Sequence, residues 1–235
     1  MLAIWLLQIS PNLMDIGKSQ KVEIVVKAEA FVDNGRGYKV TGDKATPDAM
    51  AKYGKLWAEE WSKYSPEAMA KARVHKIVFC ENLSLNGQIR AAVPAFDLNT
   101  MYYDPALGAH SAPYQRNVVH HEFFHMIDQR LKLLSRDAEW GKLNPTGFRY
   151  ENGGAKMRTP GVGNLTDSIS GFLTLYGTSA IEEDKAELYS HLIVDPTFVT
   201  DLAKKDGVLA EKIVLLKKRL SDFDSHFGPK FWPKG

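Results

Sequence analysis

His121 and His125 stand four residues apart with Glu122 beside the first, in the run Val119-His120-His121-Glu122-Phe123-Phe124-His125-Met126-Ile127-Asp128. Side chains at i and i+4 of a helix leave the same face, so the two imidazoles can grip one cation. Glu122 lies one step around the helix, where it can reach a water on the metal without ligating it. This is the His-Glu-x-x-His pattern of zinc peptidases, with the glutamate as general base. His120 competes for the register, but His120 and His125 are five apart and subtend a poor angle on a helix. His120 is therefore expected to be a packed neighbour of the site.

A catalytic zinc takes a third protein ligand and keeps one position open. A metzincin would carry Gly at 128 and His at 131, and this chain has Asp128 and Leu131. The third ligand is therefore expected further along. The best source is Tyr176-Gly177-Thr178-Ser179-Ala180-Ile181-Glu182-Glu183-Asp184-Lys185-Ala186-Glu187. Glu183 and Glu187 are four apart on one helical face, and His191 extends the row by four more. Glu182 and Asp184 are expected on the exposed face of that helix. Asp128, a helical turn beyond His125, reads either as a carboxylate orienting a ligand or a nearby basic group, or as a surface residue.

His-Glu-Phe-x-His-x-x-Asp, then Tyr-Gly, then Glu-x-x-Ala-Glu resembles the catalytic domain of anthrax lethal factor and its Pro-Pro endopeptidase relatives. The resemblance covers roughly residues 95–195. It implies a zincin-like domain with one catalytic Zn2+, held by His121, His125 and Glu183. It also implies that Tyr176, seven residues before Glu183, polarises the scissile carbonyl. Glu187 would stand behind the ligands rather than touch the metal. The 58 positions from His125 to Glu183 exceed the spacing expected for that family. A glycine-rich insertion within the gap accounts for the excess. Glu182 and Glu187 remain rival ligands.

These groups need elements to hold them. The helix carrying the histidines is predicted from Arg116 to about Lys132, apolar at Val118, Val119, Phe123, Met126, Ile127 and Leu131. Thr46-Pro47-Asp48 starts an earlier helix with a capping hydroxyl, Pro at the first position and an acid in the first turn. Its Met50, Tyr53, Trp57, Trp61 and Tyr64 recur at helical spacing and should pack on a sheet. Ser65-Pro66-Glu67 starts another, shorter helix. Strands are predicted over Lys21 to Phe31, Val74 to Cys80, Gln88 to Val93 and Thr100 to Tyr103, with a polar turn at Asp33-Asn34-Gly35. Ala91 to Asn99, containing Pro94, suits a sheet edge that an extended substrate could join. Residues 141–164 hold six glycines and read as a long loop. Helices follow over Thr178 to Ile193 and from about Pro196 or Val199 to Phe223, the latter with a solvated Lys217-Lys218-Arg219 run.

The order predicts an α+β fold: a zincin-like domain with a small mixed sheet, an active-site helix and a helical C-terminal half. Residues 1–17 are expected to be a short apolar N-terminal segment, either a clipped signal or a packed extension, and 18–235 the peptidase domain. Met1 to Leu7 is apolar, without a preceding Lys or Arg, and too short to span a membrane. Thirty Lys+Arg against 28 Asp+Glu give a net charge of +2, which argues against a nucleic-acid partner. The single cysteine, Cys80, excludes an intramolecular disulfide and a cysteine-based zinc knuckle. It is expected to be a buried strand residue. The expected partner is a peptide or protein substrate, cut as an endopeptidase cuts it. The rivals are an inactive zinc-site protein that binds peptide, and an aminopeptidase or another zinc hydrolase on the same scaffold.

Overall fold

The computed structural model describes residues 11–151, 153, 161 and 163–234. The apolar start Met1 to Leu7 and part of the glycine-rich segment 141–164 lie outside the described residues. The architecture is α+β, and the chain divides into two compact units, residues 1–126 and 127–235.

The first unit opens with α1 (Pro11–Gln20), whose Leu13 is buried, so residues 11–17 belong to a packed helix. The predicted strand over Lys21 to Phe31 is two strands: β1 (Glu23–Val26) and β2 (Phe31–Asn34). They join different sheets, which a continuous strand cannot do. β2 forms a hairpin with β3 (Lys39–Asp43). Next come α2 (Pro47–Trp61) and α3 (Pro66–Ala72). Each starts as expected, with Thr46 and Ser65 accepting the amides of Ala49 and Ala68 at 3.4 and 3.1 Å.

The remaining strands are β4 (Lys76–Phe79), β5 (Glu81–Leu85), β6 (Gln88–Ile89), β7 (Ala92–Ala95) and β8 (Thr100–Tyr103). One sheet is mixed, in the order β1-β4-β8-β7, with only β7 antiparallel to its neighbour. The other, β2-β3-β5-β6, is antiparallel; the predicted strand over Gln88 to Val93 divides between its β6 and the mixed sheet's β7. Its β5–β6 hairpin turns on Asn86 (φ 51°) and Gly87 (φ 78°). Two successive positive φ angles make the primed turn that matches strand twist, and Asn-Gly is its preferred pair.

The aromatic stripe of α2 packs as its spacing predicts. Trp57 meets Phe79 edge-on at 5.1 Å, and Trp61 meets Phe123 at 5.2 Å. Tyr64, just past the helix, lies 4.3 Å from Phe123. Such contacts contribute about 0.5–1.5 kcal/mol each beyond area burial. They lay the histidine-bearing helix, α4 (Ala112–Leu131), beside α2. That helix begins a turn earlier than its apolar period suggested, because the Ser111 hydroxyl accepts the Tyr114 amide at 3.3 Å and Pro113 suits a first turn. Cys80 is buried between β4 and β5, and burial pushes its thiol up to about 12.

The second unit is helical: α5 (Ala138–Gly141), a 3-10 turn over Tyr176–Ser179, α6 (Ile181–Val194), α7 (Pro196–Ala203) and α8 (Gly207–Phe223). The long final helix expected from the sequence is thus α7 and α8. Asp206 ends the continuity. Its carboxylate accepts the Leu209 amide at 3.1 Å, capping α8, and also accepts the Gly171 amide at 2.6 Å. The Lys217-Lys218-Arg219 run is not wholly solvated: Arg219 turns inward to Asp137. No helix among the described residues is long and apolar enough to cross a membrane.

Candidate metal centre

Helix α4 is buried on most sides, with Val119, Phe123, Phe124, Met126 and Ile127 at most 1% exposed. That setting takes His121 and His125 out of water, at 6% and 8% exposure. Their Nε2 atoms face each other at 3.2 Å, and the rings are nearly perpendicular at 81°. Two zinc–nitrogen bonds of about 2.05 Å at a tetrahedral angle would separate the nitrogens by roughly 3.3 Å. The pair therefore fits a tetrahedral cation, as the i, i+4 spacing predicts. Glu122 is partly exposed on the same helix.

His120 is fully buried and serves another purpose. Its Nε2 lies 2.7 Å from a Glu60 carboxylate oxygen and its Nδ1 contacts the Tyr64 hydroxyl. A carboxylate only accepts, so Nε2 carries the proton and Tyr64 donates to Nδ1. Burial holds the His120 pKa below its ordinary value, against the pull of Glu60. Both ring nitrogens are engaged, which fits a packed neighbour rather than a ligand.

Burial alone would raise the Glu60 pKa. Hydrogen bonds from His120 and Lys63 outweigh it and hold the carboxyl at about 2, from an ordinary 4.5. Arg116 also pairs with Glu60. The unfolded carboxylate takes its proton near pH 4.5, and the folded one resists to about pH 2. The stabilisation is thus complete above 4.5, erodes as pH falls, and is gone below 2. It amounts to about 3 kcal/mol. Glu60→Gln should flatten the acid limb of unfolding free energy against pH, measured by urea titration. Equal slopes in the two proteins would discard this account.

In the second unit, α6 carries Glu183 in its first turn, half-buried, and the turn before it carries Tyr176, also half-buried. The Thr174 hydroxyl joins the two elements. It donates to a Glu187 oxygen at 2.8 Å and accepts the Gly177 amide at 3.1 Å. Gly177 lies close against the helix, where an added Cβ would sit 3.5 Å from the Asp184 Cα. Glu187 is also 3.7 Å from His191.

One expectation changes here, and one open choice, at Asp128, is decided. Asp184 is not on an exposed face: it is 3% exposed and accepts from Trp140 Nε1 (2.7 Å), Tyr150 O–H (2.6 Å) and Lys212 Nζ (2.7 Å). Burial raises its pKa against the pull of Lys212. Asp128 is not a surface residue either. It is 1% exposed and pairs with Lys185 at 2.7 Å. Nothing in the residue pattern marks Lys185 and Lys212 as buried partners of these acids. An acid–base run on a helix looks solvated unless its distant partners are known.

A solved structure from Bacteroides caccae, described as a candidate zinc-binding metallo-peptidase, is similar to this chain with a TM-score of 0.56 and 16% identity. The match covers 92% of this chain and 85% of that one. The likeness establishes the fold. No protein-family model matches the chain, and neither does any curated protein.

Proposed function

We propose that this chain is a zinc-dependent peptidase whose single metal ion is held by His121, His125 and Glu183. The observation that carries the proposal is the 3.2 Å approach of the two imidazole nitrogens on one buried helix, with Glu122 beside the first. Two imidazole nitrogens and one carboxylate oxygen would make a donor set that leaves a fourth position for chemistry. Glu183 is preferred over Glu187, whose carboxylate is engaged by Thr174 and lies near His191. The resemblance to the lethal factor and Pro-Pro endopeptidase group assigns the ligand to the same residue.

A bound Zn2+ supplies Lewis acidity, which acidifies water and polarises a carbonyl. The chain's own groups do the rest. Glu122 takes a proton from the attacking water and hands it to the leaving amine. Tyr176 donates its hydroxyl proton in a hydrogen bond to the oxyanion that develops on the scissile carbonyl. Strand β7 ends the mixed sheet, as the reading of residues 91–99 expects, and offers an extended peptide an edge. Pro94, within β7, lacks an N–H and so suits that position.

Glu183→Ala is expected to weaken zinc binding by roughly 10²-fold, measured by chelator competition. Full affinity in this variant would hand the third position to another residue. Tyr176→Phe is expected to keep zinc and lower kcat by about 10- to 10²-fold on a peptide found by library digestion. An unchanged kcat would remove Tyr176 from the reaction. The same digest reads the bond position: internal cuts mark an endopeptidase, and loss of single N-terminal residues an aminopeptidase.

A further inference from the structure

Lys185 is 1% exposed, which is unusual for a lysine, and three groups converge on its Nζ. Asp128 Oδ2 lies at 2.7 Å, the Leu134 carbonyl oxygen at 3.1 Å and Asp137 Oδ2 at 3.3 Å. Arg219 caps the outer side of Asp137 through both oxygens and reaches Glu139. Burial alone would raise the Asp137 pKa. Arg219, the Trp140 amide and Lys185 hold it below the ordinary carboxylate value. Two buried carboxylates and the buried Lys185 thus form one charged group, bordered by the partly exposed Arg219.

The positions of its members matter. Asp128 is three residues beyond His125 on α4, and Lys185 is two beyond Glu183 on α6. A metal site tolerates only small errors in ligand placement, and apolar packing alone is not directional. An ion pair at 2.7 Å between buried charges on two helices sets the distance between them. Burying two ions is a poor route to stability alone, since apolar residues of similar volume do as well or better.

We infer that Asp128 and Lys185 are positioning residues, a buried clamp that holds the third ligand's helix in register with the helix bearing the histidines. This rests on the ligand set proposed above. The clamp sets metal affinity rather than fold stability.

The test compares the full-length protein with Asp128→Leu/Lys185→Met, which removes both charges and leaves Asp137 paired with Arg219. Three quantities are read: zinc affinity by chelator competition, the visible absorption spectrum of the Co2+-loaded protein, and the urea midpoint. The expected result is a folded protein with zinc affinity lowered by about 10- to 100-fold and an altered cobalt spectrum. Affinity within about twofold of the parent, with the same spectrum and intact folding, would overturn the clamp.

If the double variant does not fold, Asp128→Asn takes its place, keeping the side-chain shape and one acceptor. A loss of about fivefold or more then supports the clamp and parental affinity overturns it. Glu183→Ala runs beside both. Weak zinc binding in Glu183→Ala with parental binding in the clamp variants sinks the clamp alone. Parental binding in Glu183→Ala sinks the ligand assignment on which it rests.

Discussion

Glu122→Ala protein is expected to keep its zinc and lose ~10²- to 10⁴-fold in kcat/KM on peptide substrates. The two effects separate because Glu122 stands outside the proposed donor set while remaining next to His121 on α4. Its carboxylate acts by moving a proton, so its removal leaves the metal's ligands untouched. A partly exposed helical residue also has little buried surface to lose, and folding should change by less than about 1 kcal/mol. Metal content by atomic emission and steady-state kinetics decide the matter. Cleavage at the parental rate would end the general-base assignment. Loss of zinc together with activity would make Glu122 a ligand instead.

His125→Ala is expected to lose both zinc and cleavage. Dividing about 10–16 kcal/mol of zinc binding among four positions gives roughly 3 kcal/mol per ligand, on the order of 10²-fold in affinity. Thermal denaturation offers a reading independent of activity. At a zinc concentration 100 times the parental Kd, binding stabilises the parent by about 2.7 kcal/mol. The same concentration stabilises a variant bound 10²-fold more weakly by only about 0.4 kcal/mol. The zinc-induced rise in Tm should therefore almost vanish. A full rise in His125→Ala would mean that the 3.2 Å imidazole pair is a packing contact and that the metal, if any, binds elsewhere.

The likeness to the Bacteroides caccae structure, at 16% identity, shows how far a fold outlasts its sequence. Strands β4 and β8, the aromatic helix α2 and the long helix α4 were legible because each rests on a local apolar run or period. Trp57 and Trp61 had to share a face, and their contacts with Phe79 and Phe123 followed. The break between α7 and α8 was not legible. Asp206 stands at it, capping α8 through the Leu209 amide and accepting the Gly171 amide from 35 residues away. Nor was the split of the first predicted strand, since β1 and β2 take partners in different sheets.

The amino-acid order by itself determined that His121 and His125 would leave one face of a helix, that Glu122 would sit beside them, and that Thr46 and Ser65 would cap the helices after them. Helix geometry dictates all of these within a few residues. Tertiary structure alone decided that Asp128, Asp184, Lys185 and Lys212 would be buried as ion pairs, where their residue types suggest solvent. The physical reason is that a charge enters the interior only when an opposite charge from a distant segment meets it there. No local pattern records such a meeting.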